Sequence, residues 1–226
     1  MAIIVGCFGP KGGPGKSTMA RIIATKVIRS GYTAKIADHD KQKTCVRWAG
    51  KREDLRGRLA AKRKFDPAKI PPHVPVEYYG VLEEALGQAN RYDFLVIDAA
   101  GKAGPEILRI AQAADICVMP LNPGGDDLDP TVEIYRALVK LGIPQKRLIC
   151  VLNHVGGAEE ETAARDELSR CGVLVLGPPL REMVVYRTAM TFGLSPMECK
   201  GKKQAGEAEA VADALFAKIR GIFDRE

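Results

Sequence analysis

The stretch that decides the reading of this chain is Ala2-Ile3-Ile4-Val5-Gly6-Cys7-Phe8, followed by Gly9-Pro10-Lys11-Gly12-Gly13-Pro14-Gly15-Lys16-Ser17-Thr18. The run Ala2–Phe8 is short and apolar, the pattern of a buried strand. After the loop, Ser17–Arg29 places Met19, Ile22, Ile23, Val27 and Ile28 at helical spacing and stops before Gly31. A glycine-rich loop between a strand and a helix can turn its backbone N–H groups inward around phosphate oxygens, and the helix N-terminus adds partial positive charge. In that setting Lys16 reaches the β- and γ-phosphates of a nucleotide, the Ser17 hydroxyl ligates Mg²⁺ and Thr18 contacts the α-phosphate. The plainer alternative is a turn that binds nothing; the flanking strand and helix weigh against it.

Outward from this loop, short apolar runs alternate with helical patterns. Strands are predicted at Thr33–Ala37, Val76–Tyr79, Phe94–Ile97, Ile116–Met119, Leu148–Leu152 and Val173–Leu176. Helices are predicted at Thr44–Lys64, Val81–Asn90, Ile107–Ala114, Pro130–Leu141, Glu159–Arg170, Glu182–Phe192 and Glu207–Phe223. Between them, Asp66–Pro75 holds Pro67, Pro71, Pro72 and Pro75, which no helix tolerates. Strands apolar on both faces that alternate with helices predict an α/β fold: a mostly parallel twisted sheet with helices on both faces. With no repeat and no linker, residues 1–226 read as one domain, with ligands beyond the carboxyl ends of the strands.

Composition sets wider bounds. Of 226 residues, 46% are hydrophobic and 27% charged, which excludes a disordered chain. Thirty-four Lys and Arg against 28 Asp and Glu give a net charge of +6, which permits a polyanionic partner without demonstrating one. The six cysteines (Cys7, Cys45, Cys117, Cys150, Cys171, Cys199) form no CxxC, so locally spaced zinc or redox motifs are not expected. No basic n-region precedes the first apolar run and no stretch is long enough to span a bilayer, so the expectation is a reduced, cytoplasmic protein.

Acidic residues fall at two strand ends. Asp38-His39-Asp40 follows the second strand, and Asp98 ends Phe94-Leu95-Val96-Ile97, with Ala99-Ala100-Gly101 after it. A carboxylate there, beside a phosphate loop, can hold Mg²⁺ and its waters. A lone Asp at a strand end also commonly caps a helix.

The loop departs from the general phosphate-loop pattern at Pro10, where glycine is usual, and adds Lys11. With Lys11-Gly12-Gly13-Pro14-Gly15-Lys16-Ser17 it resembles the deviant Walker motif of the ParA/MinD group of ATPases, closest to the small ParF-like plasmid partition proteins. The resemblance extends to Asp38 and Asp40, to Asp98 and Gly101, and, more weakly, to Met119–Pro123 with Asp127, Val151–Asn153, Leu180–Arg187 and Gly193–Glu198, so it covers nearly the whole chain. It implies an Mg²⁺-dependent ATPase, slow and stimulated by a partner, whose ATP-bound form is a homodimer. By the same resemblance Lys11 is the signature lysine that touches the nucleotide of the other subunit, Asp40 orients the attacking water, and Ser17, Asp38 and Asp98 form the metal set. Asn153 and Pro179 are implied beside the base, though a loop-capping asparagine fits Asn153 equally well. Lys41 stands where the family carries proline. Gly124 stands where it carries serine. Trp48 has a counterpart in the family, and core packing is the preferred reading of it.

Basic residues cluster at Lys51-Arg52, Arg56, Arg58, Lys62-Arg63-Lys64 and Lys69, and again at Arg181, Arg187, Lys200, Lys202 and Lys203. No base-reading motif accompanies them, which leaves sequence-independent phosphate contact or simply a solvated surface. The family resemblance favours non-specific DNA binding by the ATP-bound dimer, first through the C-terminal group, together with a centromere-binding adaptor and a nucleoid-associated location. Two other readings share the resemblance. A MinD-like membrane cycle would use Ala214–Phe223 as an amphipathic helix, although the same stripe suits a core helix. A positioner of other cargo has the same sequence signature. A metal-insertion ATPase is disfavoured by the scattered cysteines.

Overall fold

The computed structural model describes residues 2–62, 65–101 and 104–223, so Arg63, Lys64, Asp224 and Glu226 lie outside the described residues. Seven strands form one sheet: β1 (Ile3–Cys7), β2 (Ala34–His39), β3 (Val76–Tyr78), β4 (Phe94–Ala99), β5 (Ile116–Leu121), β6 (Leu148–Val155) and β7 (Leu180–Arg181). Their order is β3-β2-β4-β1-β5-β6-β7 and every pairing is parallel. The helices are α1 (Lys16–Arg29), α2 (Thr44–Ala60), α3 (Leu82–Leu86), α4 (Pro105–Ala113), α5 (Gly125–Lys140), α6 (Ala158–Arg170), α7 (Val184–Thr191) and α8 (Lys202–Phe223).

Period-two alternation along each buried strand divides the core into two halves. Val5, Ile36, Val96, Val118, Ile149 and Val151 face α1, α2, α7 and α8. Ala37, Leu95, Ile97, Cys117, Met119, Cys150 and Leu152 face the opposite layer, with α3, α4, α5 and α6. This is the sandwich expected of strands that are apolar on both faces. The apolar stripe of α8 packs the same way through Ile219, and the side chains of Ile222 and Phe223 lie outside the described residues. Ala208, Val211, Leu215 and Ile219 are fully buried in the first half of the core. Phe216 packs against it at the edge, beside Tyr32 and Phe94.

Several elements differ from the sequence reading. The expected strand at Val173–Leu176 contributes a single bridge, Cys150 to Val175, and the seventh strand forms instead at Leu180–Arg181. The basic helix after β2 ends at Ala60 rather than Lys64. The helix expected from Pro130 begins at Gly125, with Pro130 inside it. Proline in the second turn donates no N–H to the carbonyl four residues back, so the Asp126 carbonyl is left without its helical partner.

The sheet order matters for function. β1 lies at the centre, and the chain leaves it first toward β2 on one side and later toward β5 on the other. Ligands bind beyond the strand ends at such a reversal. In register, Cys7 pairs with Asp98 and Asp98 with Asp38, so the ends of β1, β4 and β2 are level. Both aspartates therefore project on the α1 side of the sheet, the side of the phosphate loop.

Candidate nucleotide site

Gly15 ends the loop at φ +104°, a left-handed conformation that favours glycine, and α1 starts directly after it. No side chain caps α1, so its first N–H groups stay free for an anion. A β-carbon at Gly15 would sit 2.2 Å from Asn153 Nδ2. That amide lies directly under the loop, and Nδ2 donates to the Pro14 carbonyl at 2.7 Å. Asn153 is fully buried, and its Oδ1 has no partner. The structure thus assigns Asn153 first to bracing the loop. It also lines a small cleft with Thr18, His154, Arg181, Met183, Tyr186 and Arg187. Pro179, half-buried, immediately precedes β7 and the cleft residue Leu180.

The two lysines of the loop are placed differently. Lys16 is buried, and its ammonium donates to the Lys11 carbonyl at 2.8 Å, on the inner side of the loop. Burial pulls its pKa down from the ordinary lysine value, partly offset by Asp98 and Asp40. Lys11 is on the rim, with nearly half of its side chain exposed. Its ammonium donates to the Asp126 carbonyl and lies 3.7 Å from Asp127 Oδ1. The Asp126 carbonyl is the one that Pro130 leaves free. Gly12 and Gly13 are exposed beside Lys11. Gly101 backs the loop closely: a β-carbon there would lie 2.7 Å from Gly12 Cα.

The acidic residues separate into different tasks. Asp38, expected as a metal ligand, has both oxygens engaged by the fold. Oδ2 accepts from the N–H groups of Cys45 at 2.9 Å and Val46 at 3.0 Å, and Oδ1 accepts from Asp40 N at 3.2 Å. Asp38 therefore caps α2 from a neighbouring strand, a role that chain separation hides from a local capping rule. Burial pushes its pKa up, against the pull of those three N–H groups. Asp40 is half-buried, and its Oδ1 accepts from Gln42 N at 2.8 Å, which fixes the carboxylate within its own turn.

Asp98 is fully buried and its Oδ1 has no partner. Oδ2 accepts from the Cys45 thiol at 3.2 Å. Burial raises its pKa to about 6, while Ser17 and Cys45 pull it back. A buried carboxylate oxygen without a partner, next to the Ser17 hydroxyl, suits a hard cation with oxygen ligands, so these residues fit Mg²⁺.

Residues that the sequence reading did not assign complete the site. Cys45 touches the expected metal carboxylate. The imidazole of His39 bonds Tyr79 O at 2.6 Å through Nδ1 and Glu106 Oε1 at 2.9 Å through Nε2, which ties the strand end carrying Asp38 to the first turn of α4. Arg21, buried on α1, reaches Thr44 O at 2.9 Å and stacks over Trp48. Trp48 itself is core, with Nε1 bonded to Leu194 O. Nothing local in the sequence marks these contacts, because each joins separate elements.

The C-terminal basic group is carried by β7, α7 and the start of α8. Arg181 and Arg187 line the cleft beside Asn153, paired with Glu161 at 3.8 Å and Glu182 at 2.6 Å. Lys200, Lys202 and Lys203 are exposed around the start of α8. Arg52 of the first group is fully buried in a bidentate bond to Glu198, so it is structural. No helix among the described residues is long and apolar enough to cross a membrane.

Comparison with known proteins places this geometry. Residues 2–141 match the family model described as ATPase MipZ. Protein ParA of Rhizobium radiobacter is 24% identical over 225 residues, spanning 92% of this chain and 94% of that protein. Maintenance of carboxysome distribution protein A of Halothiobacillus neapolitanus is 26% identical over 216 residues, spanning 91% and 93%. Among solved structures, the septum site-determining protein MinD of Pyrococcus horikoshii, in complex with Mg-ADP, superposes with a TM-score of 0.69 at 20% identity, over 95% of this chain and 96% of that one.

Proposed function

The chain belongs to the MipZ family of ATPases, and on that premise we propose that it is an ATP-driven dimerising switch that partitions DNA, binding DNA without sequence preference as the ATP-bound dimer and releasing it when an adaptor stimulates hydrolysis. The observation that carries this reading is the pair of lysines on one loop. Lys16 is buried on the inner side, where it serves the nucleotide of its own chain. Lys11 is on an exposed rim with Gly12 and Gly13, where a second chain can approach. A cation supplied in trans near the β–γ bridge stabilises charge that develops during phosphoryl transfer and ties assembly to nucleotide state.

In this reading the loop N–H groups and the start of α1 hold the phosphates, and Lys16 pairs with the β- and γ-phosphates. Ser17 and Asp98 hold Mg²⁺, which when bound neutralises phosphate charge. Asp38 keeps the N-terminus of α2 seated, so that the turn carrying Asp40 presents its carboxylate to the attacking water. Arg187, Lys202 and Lys203 of the C-terminal basic group supply phosphate contacts for DNA, doubled in number by dimerisation. The protein acts in the cytoplasm, on the nucleoid. The likeness to a carboxysome distribution protein supports a second reading, in which the same cycle positions other cargo through a different adaptor.

Light scattering with Mg²⁺ and a non-hydrolysable ATP analogue tests the central point. The wild-type chain should form a dimer that is retained on DNA at low salt. Lys16→Ala should lose nucleotide, whereas Lys11→Ala should keep nucleotide and stay monomeric. An unchanged nucleotide-dependent dimer of Lys11→Ala would refute the trans role.

A further inference from the structure

Beside the nucleotide site, α2 and α7 diverge around an apolar groove of about 450 Å³. Its floor is Leu55 and Leu59 from α2, Val185 and Ala189 from α7, and Leu194 and Cys199 beyond. Phe192, just past α7, stands at its edge with 55% of its surface exposed. Arg58, Lys62 and Lys200 ring the groove, all exposed. Among the described residues, no carboxylate lies within ion-pair distance of these three cations. Arg58 Nε donates to the Asp54 carbonyl at 3.3 Å, and Glu198, next to Cys199 of the floor, is engaged by buried Arg52.

We propose that this groove docks an acidic amphipathic helix of a partner protein, with its apolar stripe on the Leu55–Phe192 floor and its carboxylates on Arg58, Lys62 and Lys200. Charge complementarity selects the occupant. A concave apolar floor takes anchors spaced i, i+3, i+4 and i+7, and an unpaired cationic rim favours carboxylates flanking them. Nucleic acid has the charge but would leave the floor uncovered. The groove is also wired to the phosphate loop. Met190, next to Ala189 of the floor, lies 3.6 Å from Thr18 Oγ1 and 3.6 Å from the Arg21 guanidinium. A helix seated on α7 thus bears on α1 through Met190. The proposal deepens the switch reading by locating where a partner acts and rests on it for that consequence alone; binding itself requires no nucleotide.

The test is fluorescence anisotropy of nucleotide-free protein with a labelled helical peptide of about five turns, carrying leucine at i, i+3, i+4, i+7 and glutamate on both flanks. Controls are a peptide of the same composition with scattered leucines and a leucine/lysine peptide. The leucine/glutamate peptide should bind best. Phe192→Ala should weaken it about tenfold. Lys62→Glu with Lys200→Glu should reverse the preference toward the leucine/lysine peptide. These side chains are exposed, and unchanged circular dichroism verifies folding. Equal binding of the scattered peptide, or affinity that responds to salt but not to Phe192→Ala, would overturn the proposal in favour of plain polyanion binding. Phe192-dependent binding to phosphatidylglycerol vesicles with none to the peptide would overturn it in favour of a lipid surface. Nucleotide-driven dimerisation is measured separately, so either idea can fail alone.

Discussion

Replacing Asp98 by asparagine should make the nucleotide-free protein more stable while it destroys Mg²⁺-dependent nucleotide binding. The carboxyl is buried, Oδ1 is unpartnered, Oδ2 accepts from the Cys45 thiol, and the Ser17 hydroxyl lies beside it. Burial lifts its pKa from 3.8 to about 6. Because the folded value is the higher one, the stability supplied by the protonated carboxyl is fully present below pH 3.8 and is lost as pH rises through 6. At pH 7 and above, the buried charge therefore costs the folded state about 3 kcal/mol, from 1.36 kcal/mol per pKa unit. Asparagine removes the charge but leaves an amide N–H unpaired, at about 1 kcal/mol. The net gain is about 2 kcal/mol at pH 8, or roughly 4–8 °C in Tm for a chain of this size. It should shrink to under about 1 kcal/mol near pH 5, where the wild-type carboxyl is largely protonated. Urea denaturation with EDTA and no nucleotide, at both pH values, measures this. A variant no more stable than wild type at pH 8, or a gain that does not fall on acidification, would refute the account of Asp98 as a buried, waiting metal ligand.

Gly15→Ala combines a left-handed backbone with a β-carbon driven into Asn153. It should cost about 2–3 kcal/mol in strain and lost bracing and weaken nucleotide binding at least tenfold by calorimetry; binding within twofold of wild type would contradict the brace. Pro130→Ala restores a helical N–H to the Asp126 carbonyl and so competes with Lys11. Together with Asp127→Asn it should free the Lys11 side chain and lower the nucleotide concentration needed for dimerisation, as read by light scattering; an unchanged midpoint would mean that this contact does not restrain Lys11. Glu198→Ala strands the fully buried Arg52 guanidinium. The expected loss is about 3–5 kcal/mol in denaturant unfolding, and a loss below about 1 kcal/mol would show that the Pro72 and Gly193 carbonyls satisfy Arg52 alone.

The fold was legible wherever a pattern is local. Two-sided apolar strands and helical spacing located the central strands and α1, because burial on both faces imposes those compositions on any parallel sheet. The phosphate loop was legible because phosphate chemistry requires glycines, lysine and serine next to one another in the chain. Chain-local rules misread Pro130 as a helix start, since a helix can keep a proline when another donor takes the orphaned carbonyl. They placed the seventh strand at Val173–Leu176, where only the Cys150–Val175 bridge forms.

What the sequence determined by itself is the identity of the chemistry: which lysines, hydroxyl and carboxylates are present, and in what order. What only the tertiary structure decided is how that chemistry is divided. Asp38 and Asp98 look alike in the chain, yet β2–β4 register brings them level while the start of α2 takes up one carboxylate and leaves an oxygen of the other free. The two loop lysines look alike as well, and packing alone buries Lys16 and leaves Lys11 on the rim. Hydrogen-bond partners distant in sequence are fixed by packing, not by neighbours along the chain, and so no reading of spacing could assign them.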